Sequence, residues 1–340
     1  MSDKLYASAG VDLGAADAAK ERIAVAVQRT RTELSVGAVG AFGGMVRVPP
    51  GMERPVLVLS TDGVGTKVLV ARAANRFDSV GEDLVNHSVN DILVHGARPL
   101  AFLDYLASSD LTVEQIAGLV EGVARACAAH GMTLAGGETA QMADLYRPGE
   151  YDLAGTIVGV VEEADALHGD RCVPGDVLLA YASTGLHTNG YTLARKILFT
   201  ELGLELDAEL PGTGLSVADA LLAVHRSYFS AVYPLVKGMH GLAHITGGGI
   251  PGNLIRMLPD GCEAVIETAS WAPPPLFQFL QRAGGVSSDE MRAVFNLGVG
   301  LIAVLPPPLV TAARAAAQQL HVDTWIIGHV AAGARSVRFA

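Results

Sequence analysis

Cysteine is scarce in this sequence: Cys127, Cys172 and Cys262 are the only three in 340 residues, scattered and without a C-x-x-C pair. An odd, dispersed count excludes a disulfide framework and a cysteine-rich zinc site, and it fits a reducing compartment. Charge is scarce as well. Asp, Glu, Lys and Arg make up only 17% of the chain, and 35 acidic against 24 basic residues leave a net charge of −11. That balance argues against nucleic acid or an anionic membrane as partner. A phosphorylated ligand must then be held locally, by backbone N–H groups, a few cations or a metal ion. The opening MSDKLYASAG lacks the basic start and apolar run of a signal peptide, so none is expected, and the cysteine usage fits the reducing cytoplasm best. The longest uncharged run, residues 293–313, has the length of a membrane span but contains Asn296, two glycines and Pro306-Pro307-Pro308. It is expected to form a strand, a turn and a helix start in a soluble protein.

Hydrophobic residues, in contrast, are half the chain, enough for a large core. The length suggests two domains of roughly 170 residues each. Near the middle of the first half lies Ser60-Thr61-Asp62-Gly63-Val64-Gly65-Thr66-Lys67, after an apolar run at 55–59 and before a helix-like run at 68–75. Strand, glycine loop and helix start bring backbone N–H groups toward an anion, with Lys67 to neutralise a phosphate and Asp62 to hold a cation. The Walker spacing is absent, and a ligand-free turn has the same glycines. The run Gly37 to Gly44 holds four more glycines and reads either as a phosphate-covering loop or as a plain connection.

Residues 81–95 are helical by the spacing of Val85, Val89 and Ile92. Asp83, His87 and Asp91 recur at four-residue steps on a neighbouring face, which suits a solvated face or a polar site. Asp104 interrupts the strand 101–107 and needs a cation or hydrogen-bond donors if buried. Thr112 and Gln115 form a capping box for a helix whose apolar stripe includes Cys127, which makes that thiol a core group. Gly136-Gly137-Glu138-Thr139-Ala140 then follows a strand at 132–135, and 151–161 is another strand. Asp62, Asp91, Asp104 and Glu138 together suggest a metal–nucleotide site.

A turn signal at Val173-Pro174-Gly175-Asp176 puts the domain boundary near residue 170, giving domains 1–170 and 171–340. Strand 177–182, loop Ser183 to Gly190 and a helix from Tyr191 to Phe199 repeat the first glycine-loop pattern, with His187 able to donate to a phosphate or to move a proton. Residues 225–239 look helical. His244-Ile245-Thr246-Gly247-Gly248-Gly249 is a third anion-binding candidate before a short helix at 253–257. Strands at 262–267, 295–305 and 324–329 alternate with helices at 275–283 and 309–319. The fold class is α/β (α+β), two mixed sheets each covered by helices.

These motifs in this order resemble the phosphoribosylformylglycinamidine cyclo-ligase (AIR synthetase) family of purine biosynthesis. The resemblance spans essentially the whole chain. It is carried by Tyr6, Ala9-Gly10-Val11-Asp12, the glycine run, Asp62 to Lys67, Val89-Asn90-Asp91, Phe102-Leu103-Asp104-Tyr105, Gly136 to Ala140, His244 to Gly249 and Phe295-Asn296-Leu297-Gly298-Val299-Gly300. It implies two AIR synthetase-like domains, a homodimer joined through the N-terminal sheets, and ATP with Mg²⁺ acting on formylglycinamidine ribonucleotide. It further implies Asp62, Asp91 and Glu138 at the metal, and Lys67 at an ATP phosphate. Gly40, Gly43, Gly63, Gly65, Thr66, Gly137, Thr139, Asn189 and Gly247, Gly248 and Gly249 would line the nucleotide site. His187 would stabilise or protonate the reacting oxygen, and Lys67 and Asp91 would complete the catalytic set. Leu186 and Thr188 depart from the family's usual G-P-H-S-N-G, and Gln141 stands where a Glu is usual, so position 141 is not expected to bind metal. Within the superfamily, selenophosphate synthesis would call for an early cysteine, and none precedes Cys127. Thiamine-phosphate phosphorylation would call for a denser aspartate cluster. Hydrogenase maturation and a nucleotide-binding scaffold without turnover complete the alternatives.

Overall fold

The computed structural model describes residues 13–37 and 43–340; Gly40 and the Tyr6–Asp12 motif lie outside them. Two compact units emerge, one formed by residues up to Val89 with Pro99–Val160, the other by Asn90–Arg98 with Val161–Ala340.

The first unit is built on a four-stranded sheet in the order Pro55–Gly63, Tyr151–Glu162, Arg98–Ser108, Thr133–Gln141. The last two run parallel, with Asp104 opposite Gly137 and Tyr105 opposite Glu138. Alternation along Arg98–Ser108 exposes Leu103 and Tyr105 while burying Asp104 between them. The Val113–Ala129 helix packs against Thr133–Gln141 and against the Leu13–Gln28 helix. It starts on the expected capping box, with Thr112 Oγ1 accepting from the Gln115 N–H and the Gln115 side chain accepting from the Thr112 N–H. Such a cap is worth about 1 kcal/mol. Leu119, Val123 and Cys127 are fully buried on it, and burial pushes the Cys127 thiol well up, so it is inert.

The second unit holds a six-stranded mixed sheet in the order Gly241–His244, Val299–Leu305, Val177–Ala182, Thr324–Ala332, Cys262–Ile266, Ser336–Phe339. The first five pair antiparallel and the last is parallel to its neighbour. Its central strands are buried on both faces. Leu178, Ala180, Ile302 and Val304 point into one apolar cluster, and Leu179, Tyr181, Leu301 and Ala303 into the other. A strand covered twice reads as an unbroken apolar run, and this is why residues 299–305 carry no alternation. The uncharged run 293–313 accordingly resolves into the end of a helix, a strand, a 3₁₀ turn and a helix start. No described helix is long and apolar enough to cross a membrane.

Three expected elements differ. The strand expected to end at 135 runs on through Gly136 to Ala140 and ends at Gln141, those residues pairing with Leu103–Ala107 in the ladder. The strand expected at 295–305 begins only at Val299, because Phe295 to Gly298 form the loop that braces the second-unit site described below. Residues 225–239 are not one helix: 223–228 are irregular, and the helix Phe229–Val232 gives way to a 3₁₀ stretch, Tyr233–Gly238. The physical cause is competition for the backbone. The Asn90 side chain accepts from the Tyr228 N–H (2.9 Å) and donates to the Arg226 carbonyl (2.8 Å), groups a helix would have used. Pro234 then cannot supply a helical N–H.

Candidate functional site

In the first unit, Asp62 sits at the end of the strand Pro55–Gly63, where its Oδ1 accepts the Gly63 N–H at 2.7 Å and its Oδ2 lies 2.6 Å from His87 Nε2. Lys67 opens the next helix. Its Nζ is 2.7 Å from Asp83 Oδ2, and both side chains are fully buried. Asp83 and His87 are one turn apart on the Asp78–Leu93 helix, so one helix face clasps both ends of the glycine loop. The four-residue stripe is therefore a buried polar face over these positions. Lys67, expected at an ATP phosphate, faces Asp83 instead. Burial lowers its ammonium from the usual lysine range, and the charge and hydrogen bond of Asp83 counter this in part.

On the opposite outer strand of the same sheet, Thr133–Gln141, Gly137, Glu138 and Thr139 are exposed. With Gly43, Gly44 and Gly136 they form one side of a cavity of about 750 Å³, whose apolar side is Ile23, Val27, Val36, Met45 and Leu103. That volume is in the range of small-molecule sites. Asp104 also borders it. Only 8% exposed, its carboxyl is pushed up to about 7 by burial, against a smaller downward pull from a backbone hydrogen bond. Gly137 is required here: a Cβ at that position would fall 2.2 Å from Asp104 Oδ1.

In the second unit, the loop Ser183 to Gly190 holds His187 at φ +62°, in the left-handed region that costs a side chain about 1–3 kcal/mol and persists only where the surroundings enforce it. The Phe295–Gly300 motif does so. Asn296 donates to the Gly185 carbonyl (2.9 Å) and accepts from Ser183 Oγ (3.2 Å), while the Ser183 N–H donates to the Gly298 carbonyl (2.8 Å). Gly300 lies under the ring; a Cβ there would meet His187 Cε1 at 2.6 Å and Tyr228 Oη at 2.0 Å. The Thr184 N–H donates to His187 Nε2 at 3.2 Å.

His244 ends the edge strand and places its Nδ1 2.8 Å from Asp91 Oδ1. Its Nε2 is 3.1 Å from His225 Nε2. After it, Gly248 and Gly249 take φ of +93° and +60°, and Asn253 donates to the carbonyls of Gly247 (3.2 Å) and Gly249 (2.8 Å). Asn189 Oδ1 lies beside Gly247, 3.4 Å from where a Cβ would stand. Three sequence-derived elements of the second unit, the His187 loop, Asp91 and the Gly247–Gly249 loop, are thus linked through His244 and Asn189. Gly63, Gly65, Thr66 and Asp62 share the first unit's loop.

Sequence reasoning misses His225. It is fully buried, its ring stacked on His187 at 3.9 Å and 22°. No motif surrounds it, and residues 225–239 read as ordinary helix. Asn90 carries the available signal, as a polar residue where the helix turns apolar on every side.

The sequence matches the AIR synthase related protein N-terminal domain over residues 43–161 and the C-terminal domain of the same name over residues 173–339. It is 48% identical over 331 residues to the phosphoribosylformylglycinamidine cyclo-ligase of Myxococcus xanthus (strain DK1622), covering 96% of each chain. To the protein of the same name from Desulfatibacillum aliphaticivorans it is 45% identical over 330 residues, 96% of this chain and 95% of that one. Among solved structures, the thiamine-monophosphate kinase of Stenotrophomonas maltophilia K279a superposes with a TM-score of 0.69 at 20% identity over 95% of each chain, a likeness of fold. With two matched domains in order and such identity along nearly its whole length, the chain belongs to the phosphoribosylformylglycinamidine cyclo-ligase family.

Proposed function

We propose that this chain closes the imidazole ring of formylglycinamidine ribonucleotide at the expense of ATP, giving 5-aminoimidazole ribonucleotide, ADP and phosphate in de novo purine biosynthesis. Near-full-length identity to curated cyclo-ligases carries this reading. The formyl oxygen is a poor leaving group. Its attack on the terminal phosphorus of ATP forms an O–P bond and releases ADP; the ribosyl-bearing nitrogen then attacks the formyl carbon, and phosphate leaves with that oxygen. Most of the protein's contribution is positioning and charge neutralisation.

ATP is assigned to the first domain, 1–170. The cavity beside Gly43, Gly137 and Thr139 supports this, its apolar side suiting a base and its glycines suiting phosphates. The Asp62–Gly65 loop with Thr66, and in the second domain Asn189 and Gly247 to Gly249, are the further phosphate-binding candidates. Asp62 and Glu138 in the first unit and Asp91 in the second are each proposed as Mg²⁺-binding carboxylates, Asp62 and Glu138 serving separate ions because they stand on the two outer strands of their sheet. Carboxylate oxygens are the hard donors this ion takes, and His87 and His244 orient Asp62 and Asp91. Bound there, Mg²⁺ supplies positive charge to the phosphates. Lys67 is assigned to holding Asp83 and the loop rather than to phosphate contact. His187, neutral with Nε2 accepting from Thr184, offers its Nδ1–H to the oxygen that gains charge.

Purified protein with ATP and Mg²⁺ is expected to convert formylglycinamidine ribonucleotide to aminoimidazole ribonucleotide with one ADP per turnover. His187→Gln is expected to lower kcat about 10²-fold while leaving the KM for ATP near its original value. Tight Mg²⁺–ATP binding without any product would instead establish a nucleotide-binding scaffold. An unaffected His187→Gln variant would remove His187 from the chemistry.

A homodimer joined through the N-terminal sheet is also proposed. Leu57 and Leu59 on one strand and Tyr105 on another are 40–63% exposed, apolar groups that a monomer would leave in water. Sedimentation should give twice the chain mass, and Leu59→Glu with Tyr105→Glu should give the monomer. A wild-type monomer at micromolar concentration would refute the dimer. No described helix suits a membrane, and a cytoplasmic site of action fits the reduced, buried cysteines.

A further inference from the structure

We propose that His225 is the positioning residue for His187, fixing both its ring plane and its tautomer. This rests on the reading of His187 as the group that meets the reacting oxygen.

His187, His225 and His244 have ligand atoms within 4.8 Å of one another, and all three are buried. A metal cage is one way to read such a trio. The stack argues otherwise: with His187 and His225 only 22° from parallel, their in-plane lone pairs run side by side rather than converging on one ion. The arrangement suits a platform. His225 presents its face to His187 and its edge to three polar partners. These are Asn90 Nδ2 at 3.2 Å and His244 Nε2 at 3.1 Å from its Nε2, and Thr188 Oγ1 at 3.4 Å from its Nδ1. The orientation of the Asn90 amide is set independently, since its oxygen accepts from the Tyr228 N–H and its nitrogen donates to the Arg226 carbonyl. Asn90 Nδ2 therefore donates to His225, whose Nε2 accepts.

His187 needs such a platform. Its backbone is in the left-handed region, and its Cε1 edge lies against Gly300, where even a methyl group has no room. Packing on that side limits approach but does not select a ring plane. The stacked imidazole of His225 does, and in that plane Nε2 meets the Thr184 N–H. An accepting Nε2 leaves the hydrogen on Nδ1, the tautomer that can donate to an oxygen. A phenyl ring at position 225 would keep the face and lose the edge; an aliphatic side chain would lose both.

The test uses full-length protein with ¹⁵N-labelled histidine at mildly alkaline pH, the His187 signals being identified by their loss in His187→Gln. Wild-type protein is expected to show a single His187 tautomer, with hydrogen on Nδ1 and an accepting Nε2. In His225→Leu the two nitrogens should average toward a tautomer mixture, and kcat should fall at least about 10-fold with little change in the KM for ATP. His225→Phe should retain most of kcat and the His187 signals. A hydrogen on Nε2 of His187 in the wild type overturns the proposal without any variant, which covers the case in which His225→Leu does not fold. Unchanged His187 signals in folded His225→Leu overturn it too. The tautomer readout stands apart from activity: should His187→Gln prove fully active, the role of His187 fails while the positioning by His225 is still decided by its ring nitrogens.

Discussion

Lys67→Met is expected to lower the unfolding free energy by about 3–5 kcal/mol, because it removes the ammonium that faces the buried Asp83 carboxylate. Both side chains are fully buried, and Nζ and Oδ2 are 2.7 Å apart. Removing one partner leaves the other's burial cost in place. Removing both is different: in Lys67→Met with Asp83→Leu the desolvation cost disappears with the charges, and most of the loss should return. Urea denaturation of the parent, both single variants and the double variant measures this directly. If Lys67 served chiefly to hold a phosphate, Lys67→Met would leave stability nearly unchanged and weaken ATP binding instead. A single variant within about 1 kcal/mol of the parent would therefore reverse the assignment made here.

Asp104→Asn is expected to stabilise the protein above neutral pH and to change little in acid. The carboxyl titrates at 3.8 in its ordinary state and at about 7 when folded, raised by burial. Below 3.8 it is protonated in both states, so folding is indifferent to it. As pH rises from 3.8 to about 7 the unfolded chain releases this proton and the folded one keeps it, so stability falls across that window. Above it the cost is complete. At 1.36 kcal/mol per pH unit it reaches about 4 kcal/mol. The measurement is the stability difference between variant and parent from about pH 4 to about pH 8, which isolates Asp104 from every other titrating group. A difference that stays flat across the range would contradict the buried, proton-retaining carboxyl. Asparagine keeps the shape that the close approach of Gly137 requires.

Most elements were legible because their signals are local. The Thr112–Gln115 box, the helix Pro275–Ala283 and the strand Val177–Ala182 fall where spacing and punctuation put them. The glycine loops before Lys67, Tyr191 and Gly249 were legible for the same reason, as strand followed by turn followed by helix, whereas Gly136 to Ala140 continues its strand because the ladder with Leu103–Ala107 holds it extended. Partnerships between distant side chains were not. Asp83, His87 and Asp91 show their four-residue period in the sequence, yet whether that face meets water or Lys67, Asp62 and His244 depends on tertiary neighbours. A lysine after a glycine loop has a familiar use at phosphates, and nothing in the local sequence reveals the Asp83 carboxylate that Lys67 faces. His225 was invisible for a further reason. An apolar-periodic segment suggests helix, and only Asn90, more than a hundred positions earlier, takes the backbone groups that a helix would need.

The second sheet also sets an order of events during synthesis. Its central strand, Val177–Ala182, pairs on one side with Val299–Leu305 and on the other with Thr324–Ala332, each more than a hundred residues later. Closing such distant pairs is slow, and it is impossible while the later strands are still inside the ribosome. Leu178, Leu179 and Tyr181, destined for complete burial on both faces, must wait uncovered until the strand Thr324–Ala332 has been made and has left the ribosome. The first unit's own sheet strands are all made by residue 162 and face no such delay. A nascent chain stalled shortly before residue 320 should therefore be where chaperone dependence and aggregation are greatest.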